Sequence, residues 1–194
     1  MSWKNFLAAH MNVLAGADFF TVEVLRWRGL VTYHVLFFIH PETPRVTIAG
    51  ITPHPDGEWM EQIARSAPQE TWGYLNRCRY VLHDRDRKFC ASFRSVLSAA
   101  GVKPIMLPAK SPNLNAYAEH WFRSVKRECL SKLVLLGEGP LQRSLTEYTA
   151  HYHLERNHQG KDNQLLTPLV EQKSRTIHCR QRLGGLLKFY ARAA

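Results

Sequence analysis

The chain has 194 residues, 45% hydrophobic and 22% charged, which excludes a disordered tail or a fibrous repeat and fits a folded unit with a buried core. No apolar run approaches the roughly 20 residues of a membrane helix, and Met1-Ser2-Trp3-Lys4 opens no secretory leader, so a cytoplasmic protein without a membrane partner is expected. The net charge is +10, with 13 basic and 6 acidic side chains in residues 120–194, a surplus that favours a polyanion, DNA or RNA first.

In chain order, Trp3, Phe6, Leu7 and Met11 keep a helical stripe, so residues 1–14 are expected to form an arm or short helix. Residues 16–25 are β-like around Asp18, and the turn Arg26-Trp27-Arg28-Gly29 follows. Residues 31–40 are almost continuously apolar or β-prone, as in a strand buried on both faces. After Pro41-Glu42-Thr43-Pro44 comes a third strand, 45–52. The period then changes. Met60, Ile63, Ala64 and Ala67 mark a helix, 79–84 a short strand, and Phe89, Phe93, Val96, Leu97 and Ala100 a second helix that Gly101 ends. Residues 102–107 form a fifth strand that Pro104 assigns to a sheet edge. A helix from about Asn113 carries Ala118, Phe122, Val125, Cys129 and Leu133, and Pro140 opens another with Leu141, Leu145, Tyr148 and Tyr152. The tail is polar and basic, with a helical pattern around 183–190.

Three antiparallel strands followed by alternating helix and strand predict an α/β fold. It has a mixed five-stranded sheet flanked by helices and a helical C-terminal extension, in the order of ribonuclease H-like proteins. Cys78, Cys90, Cys129 and Cys179 form no C-x-x-C pair and are read as reduced thiols. His151, His153 and His158 lack a Cys or acidic companion at zinc spacing, so no structural zinc is expected.

The chemistry rests on three carboxylates. Asp18 lies in the first strand, Asp84 ends the fourth, and Glu119 lies in the helix after the fifth. An edge position for the fifth strand allows the first and fourth to be neighbours, with Asp18 beside Asp84. Three carboxylates brought together repel, and hard oxygen donors without Cys or His suit Mg²⁺ or Mn²⁺. Two such ions can activate an attacking oxygen and stabilise a leaving one in phosphoryl transfer. Asp86 is a rival to Asp84, which sits closer to the strand. On the Glu119 helix, Asn115, Glu119, Arg123 and Lys126 share one face, with the apolar stripe to its side. That face either touches phosphates beside a metal or is a solvated face with Glu–Arg pairing.

The stretch Ser111-Pro112-Asn113-Leu114-Asn115-Ala116-Tyr117-Ala118-Glu119, continuing to Glu128-Cys129-Leu130, resembles the third-acid helix of the integrase core domain. That family contains retroviral integrases and the DDE transposases of bacterial insertion sequences. His83-Asp84-Arg85-Asp86-x-x-Phe89 resembles its second-acid motif, with Asp86 in place of a glycine. Ala17-Asp18-Phe19-Phe20-Thr21-Val22 resembles the first-acid strand. Residues 152–160, with Tyr152, Arg156 and His158, resemble the Y-N-x-x-R-P-H segment that follows the core, with His153 replacing Asn and Asn157 replacing Pro.

The resemblance covers about residues 15–170. It implies that Asp18, Asp84 and Glu119 are a metal-binding catalytic triad for two Mg²⁺ or Mn²⁺ ions, acting in DNA hydrolysis and strand transfer. It implies DNA contacts for Asn115, Arg123, Lys126, Arg156 and His158, and a homo-oligomer on DNA. Full transposases carry an N-terminal helix-turn-helix part, and only about 15 residues precede the first-acid strand here. The expectation is therefore an arm (1–14), an integrase-type catalytic core (15–160) and a basic tail (161–194), with end recognition by a missing domain or a separate protein. An inactive DNA-binding remnant and a ribonuclease H-like nuclease are the alternative readings.

Overall fold

The computed structural model of the protein describes residues 3–69, 73–108, 116–158, 165–166 and 177–192. Helix α1 (Trp3–His10) leads through a short 3-10 turn into the first and longest strand, β1 (Leu14–Arg26). β1 pairs antiparallel with β2 (Gly29–His40) from Gly16–Ile39 to Arg26–Gly29. The tip is the two-residue turn Trp27-Arg28, and Gly29 leaves it at φ +117°, a conformation a side chain would strain. β3 (Arg45–Thr52) adds antiparallel to β2, with an irregularity between Leu36 and Phe37.

Helix α2 (Gly57–Ser66) starts where Asp56 accepts the Trp59 N–H at 2.9 Å, an N-terminal cap. The chain then crosses to the other side of β1. β4 (Tyr80–His83) runs parallel to β1, and α3 (Ala91–Ala99) returns it to β5 (Lys103–Met106), parallel to β4. The sheet order is β3-β2-β1-β4-β5, so Pro104 lies on an edge strand, where its missing N–H leaves the ladder intact. Helices α4 (Ala116–Glu128) and α5 (Glu138–Leu154) complete the fold.

Alternation along β1 and β2 feeds two cores, one on each face. Phe20, Val24, Tyr33, Val35, Phe37 and Ile39 pack under α4 and α5, around Trp121, Leu141, Leu145 and Tyr148. Ala15, Ala17, Leu36 and Phe38 pack against α2 and α3, around Met60, Ala64, Phe93 and Leu97. The apolar run of β2 is thus explained: Leu36 and Phe37 point to opposite faces and both are fully buried.

The tail differs from its helical pattern at 183–190. The chain forms a hairpin there, β6 (Ile177–Arg182) and β7 (Leu187–Arg192), antiparallel from Ile177–Arg192 to Arg182–Leu187. Gly184 and Gly185 have φ of +66° and +89°. They disfavour a helix by about 1 kcal/mol each relative to alanine and suit a tight turn. Leu187 is buried against the α4–α5 core. The helical extension of the fold is therefore α5, and a β-hairpin follows it.

Candidate active site

The register of the sheet positions the first two carboxylates. Gly16 lies opposite Leu82 in the parallel β1–β4 pairing. Two residues further along each chain stand Asp18, within β1, and Asp84, the first residue beyond β4. Asp18 is half-buried and Asp84 exposed, at the end of the parallel pair where side chains reach solvent.

Packing brings the third. The cross-strand partner of Asp18 is Phe37, and Phe20 follows Asp18 on the same face of β1. Helix α4 rests on these two rings. The Trp121 ring lies 4.5 Å from Phe37 and 5.8 Å from Phe20, and the Phe122 ring stacks on Phe20 at 5.0 Å. Trp121, Ala118 and Val125 are fully buried. Glu119 stands two residues before Trp121, in the first turn of the helix, where the positive end of the helix dipole favours a carboxylate.

The electrostatics record the convergence. The Asp18 carboxyl is pushed up to about 6, first by burial, against a hydrogen bond from the Phe19 N–H (2.8 Å), and further by the negative charges of Asp84, Glu119 and Asp86. Among the described residues, however, no three acidic, His or Cys side chains are grouped tightly enough to hold a metal ion as they stand. The donor set itself is all carboxylate oxygen, the chemistry that suits a hard divalent cation.

The loop after Asp84 is wound on its own side chains. Asp84 accepts the Asp86 N–H at 3.0 Å, and Asp86 accepts the Lys88 N–H at 2.9 Å. The Asp86 carboxylate also pairs with the Lys88 ammonium. Burial alone would raise the Asp86 carboxyl, but the bonds from Lys88 hold it below its usual value. Asp86 is thus committed to Lys88, which lies 5.1 Å over the Phe19 ring next to the site. Sequence reasoning did not single out Lys88. Its signal is the Asp-x-Lys spacing in a loop that follows a strand-end Asp.

The residues expected to touch DNA divide. Asn115 lies outside the described residues. Arg123 and Lys126 are exposed on the outward face of α4, and Arg123 reaches Glu119 at 3.5 Å. Arg156 and His158 turn inward. Arg156 grips Glu128 with two hydrogen bonds, at 3.0 and 2.8 Å. His158 is buried and its Nε2 lies 2.9 Å from the Tyr152 carbonyl. Glu128 is nine residues along α4 from Glu119, about 14 Å at the rise of a helix. Of the tryptophans, Trp121 is core and Trp59 is half-buried, while Trp72 lies outside the described residues.

No protein-family model matches the sequence, and no curated protein sequence does. Solved structures do match in fold. The magnesium complex of the HTLV-2 integrase catalytic core domain, in its trimeric form, superposes with a TM-score of 0.58 at 10% identity, over 80% of this chain and 93% of that one. The BIV integrase catalytic core domain gives 0.54 at 11% identity, over 77% and 88%. A chain of the simian T-cell lymphotropic virus intasome gives 0.56 at 13% identity, over 92% of this chain and 66% of that one. The fold is that of the integrase catalytic core, ribonuclease H-like. Among the described residues no helix is long and apolar enough to cross a membrane.

Proposed function

We propose that the protein is a DDE-type polynucleotidyl transferase of the transposase and integrase kind, cutting and joining DNA phosphodiesters with Asp18, Asp84 and Glu119 as its acidic triad. What supports the reading is that Asp18 and Asp84 each stand two residues past the Gly16–Leu82 pairing, and that the charges of Asp84 and Glu119 both raise the Asp18 carboxyl. Such crowding in an integrase-core fold is relieved by divalent cations. In this reading Asp18, Asp84 and Glu119 would hold Mg²⁺ or Mn²⁺, which would supply charge neutralisation and Lewis acidity at the reacting phosphate.

The remaining chemistry belongs to the chain. Asp18 would have to be ionised to hold a cation, and burial with its acidic neighbours raises its carboxyl to about 6. Arg123 and Lys126, exposed beside Glu119, hold flanking phosphates and fix the scissile bond for in-line attack by water or, in joining, by a DNA 3′-hydroxyl. No covalent protein–DNA intermediate is required. Arg156 and His158 support the fold in this reading. Two DNA ends are handled by at least two copies, in keeping with the dimeric and trimeric forms and the intasome in which the structural neighbours were solved.

The test is nicking and strand transfer on labelled duplex DNA with Mn²⁺ or Mg²⁺, against EDTA and against Glu119→Gln. Metal-dependent nicking and joining that vanish in Glu119→Gln are expected. Nicking of RNA–DNA hybrid alone would favour the nuclease reading. Salt-sensitive binding without any cleavage would favour the inactive remnant. Activity that survives Glu119→Gln would place the site elsewhere.

A further inference from the structure

At the end of the sheet away from the acidic triad, the β1–β2 turn carries Trp27, wholly in solvent with a relative exposure of 101%. Leu25, Leu30, Val134 and Leu136 are also exposed, and Leu25 and Leu136, with Arg26, Arg28 and Gly29, border a shallow groove beside Trp27. The turn is anchored. The Leu25 N–H donates to the Leu135 carbonyl at 2.9 Å, and the Gly137 N–H donates to the Leu25 carbonyl at 3.0 Å. An indole held out on an anchored turn presents flat apolar area at little entropic cost to a partner.

We propose that this tip binds an unpaired nucleic-acid strand, with a base stacked on Trp27 and Arg28 on the neighbouring phosphate. Charge decides among the occupants. Trp27 stands between Arg26 and Arg28 on a chain of net charge +10. Arg26 lies 5.5 Å over the Tyr33 ring and 3.9 Å from Glu138, its side chain still half exposed, while Arg28 is exposed. A second copy docking by two-fold symmetry would set these arginines against their equivalents. A duplex hides its base faces, whereas an unpaired base offers the π-face that an indole stacks against.

The tip also ends a basic track. Helix α4 starts at the triad with Glu119, and Arg123, Lys126 and Arg127 follow on its exposed side. Lys132 comes next, exposed, and then Leu135–Gly137, which are stitched to the hairpin. Along β1, Trp27 is nine residues from Asp18, about 30 Å at ~3.3 Å per residue. That is about nine nucleotides of one strand at duplex spacing. The connection to the triad rests on the function proposed above; binding at the tip does not.

The test is fluorescence anisotropy without divalent metal, using labelled single-stranded dT20 and a blunt 20-base-pair duplex across a salt series. Trp27→Ala is expected to weaken dT20 binding about 5- to 100-fold, the scale of one lost stack, and to spare the duplex. Trp27→Phe should restore most of the loss. The slope of log K against log salt should stay the same in Trp27→Ala and fall by about 0.7 in Arg28→Ala. Unchanged dT20 binding in Trp27→Ala, with its melting temperature intact, overturns the proposal. So does a wild-type dimer in sedimentation that Trp27→Ala dissolves while dT20 affinity holds. Because no cleavage is read, an inactive triad leaves this result standing, and a null result here leaves the triad untouched.

Discussion

Asp18, within β1, and Asp84, just beyond β4, each stand two residues past the Gly16–Leu82 pairing of these parallel strands. The cost of that arrangement falls on Asp18, whose carboxyl is raised from 3.8 to about 6 by burial and then by its acidic neighbours. The fold therefore favours the protonated acid. The stability this contributes is complete below pH 3.8 and is lost as pH rises through about 6. A shift of this size is worth about 2–3 kcal/mol. In EDTA, Asp18→Asn should thus melt above wild type at pH 7, and the gap should close below pH 4. With Mg²⁺ or Mn²⁺ the wild type should gain stability and the variant should not. Thermal melts across pH 4–8 check both, and coincident wild-type and Asp18→Asn curves in EDTA would remove the electrostatic crowding from the account.

Arg156, which the resemblance puts on DNA, grips Glu128 in the structure. Its two hydrogen bonds to Glu128, and the one from Tyr148 to the same carboxylate at 2.9 Å, tie α5 and the turn after it to the end of α4. Arg156→Ala should lower stability by about 1.5–3 kcal/mol, the range for lost hydrogen bonds to a charged group. Glu128→Gln should cost part of that. The salt slope for duplex binding should not move. A drop of about 0.9 in that slope, with stability unchanged, would instead put Arg156 on a phosphate.

Much of the fold was legible because the strand signals were local. The apolar run of β2, the turn at Pro41–Pro44, the change of period after Thr52 and the proline in β5 each reflect short-range chemistry. They order the sheet correctly as soon as β5 is made an edge. That β1 and β4 are neighbours, bringing the chain near Asp18 and Asp84 together, followed from that order. The placement of Glu119 depends on Trp121 and Phe122 settling on Phe37 and Phe20, a long-range fit that helical spacing does not contain. The contacts of Arg156 with Glu128 and of His158 with the Tyr152 carbonyl were not legible for the same reason, since a motif gives the residue type and not the direction of its side chain. At 183–190 the leucines suggested a helix, and the two glycines at positive φ prevented it.

His153 gives a second pH dependence of opposite sign. Its Nε2 accepts the Val46 N–H at 2.9 Å, pinning α5 to the edge strand β3. Only the neutral ring accepts there. Burial, then Arg45 and His158, lower its pKa from 6.5 to about 4. The stability it contributes is complete above pH 6.5 and is lost as pH falls through about 4, up to about 3 kcal/mol. Over this window the titration of Asp18 works the other way, so the total curve hides both. The difference between wild type and His153→Gln isolates the histidine, because glutamine keeps an acceptor that does not titrate. That difference should grow in the variant's favour between pH 6.5 and 4; a constant difference would mean that the ring is not held neutral.

Glu155 anchors the terminal hairpin, and the energetics of its pairing are asymmetric. Glu155 is 4% exposed. It accepts from Arg182 at 3.0 and 2.8 Å, from Arg180 at 3.3 Å, and lies 3.0 Å from His151 Nδ1. Arg182 also reaches Glu147 at 2.8 Å. Burial opposes ionisation, but the bonds from Arg182 and His151 outweigh it and hold the carboxyl at about 2. Removing one partner of such a pair strands a buried charge, whereas removing both does not. Arg182→Met should therefore cost about 3 kcal/mol and speed amide hydrogen exchange across residues 177–192. The double variant Arg182→Met with Glu155→Leu should recover much of that loss, because the stranded carboxylate is gone. Additive losses in the two single variants and their combination would show that the hairpin is held by its apolar contacts alone, with Glu155 and Arg182 acting independently.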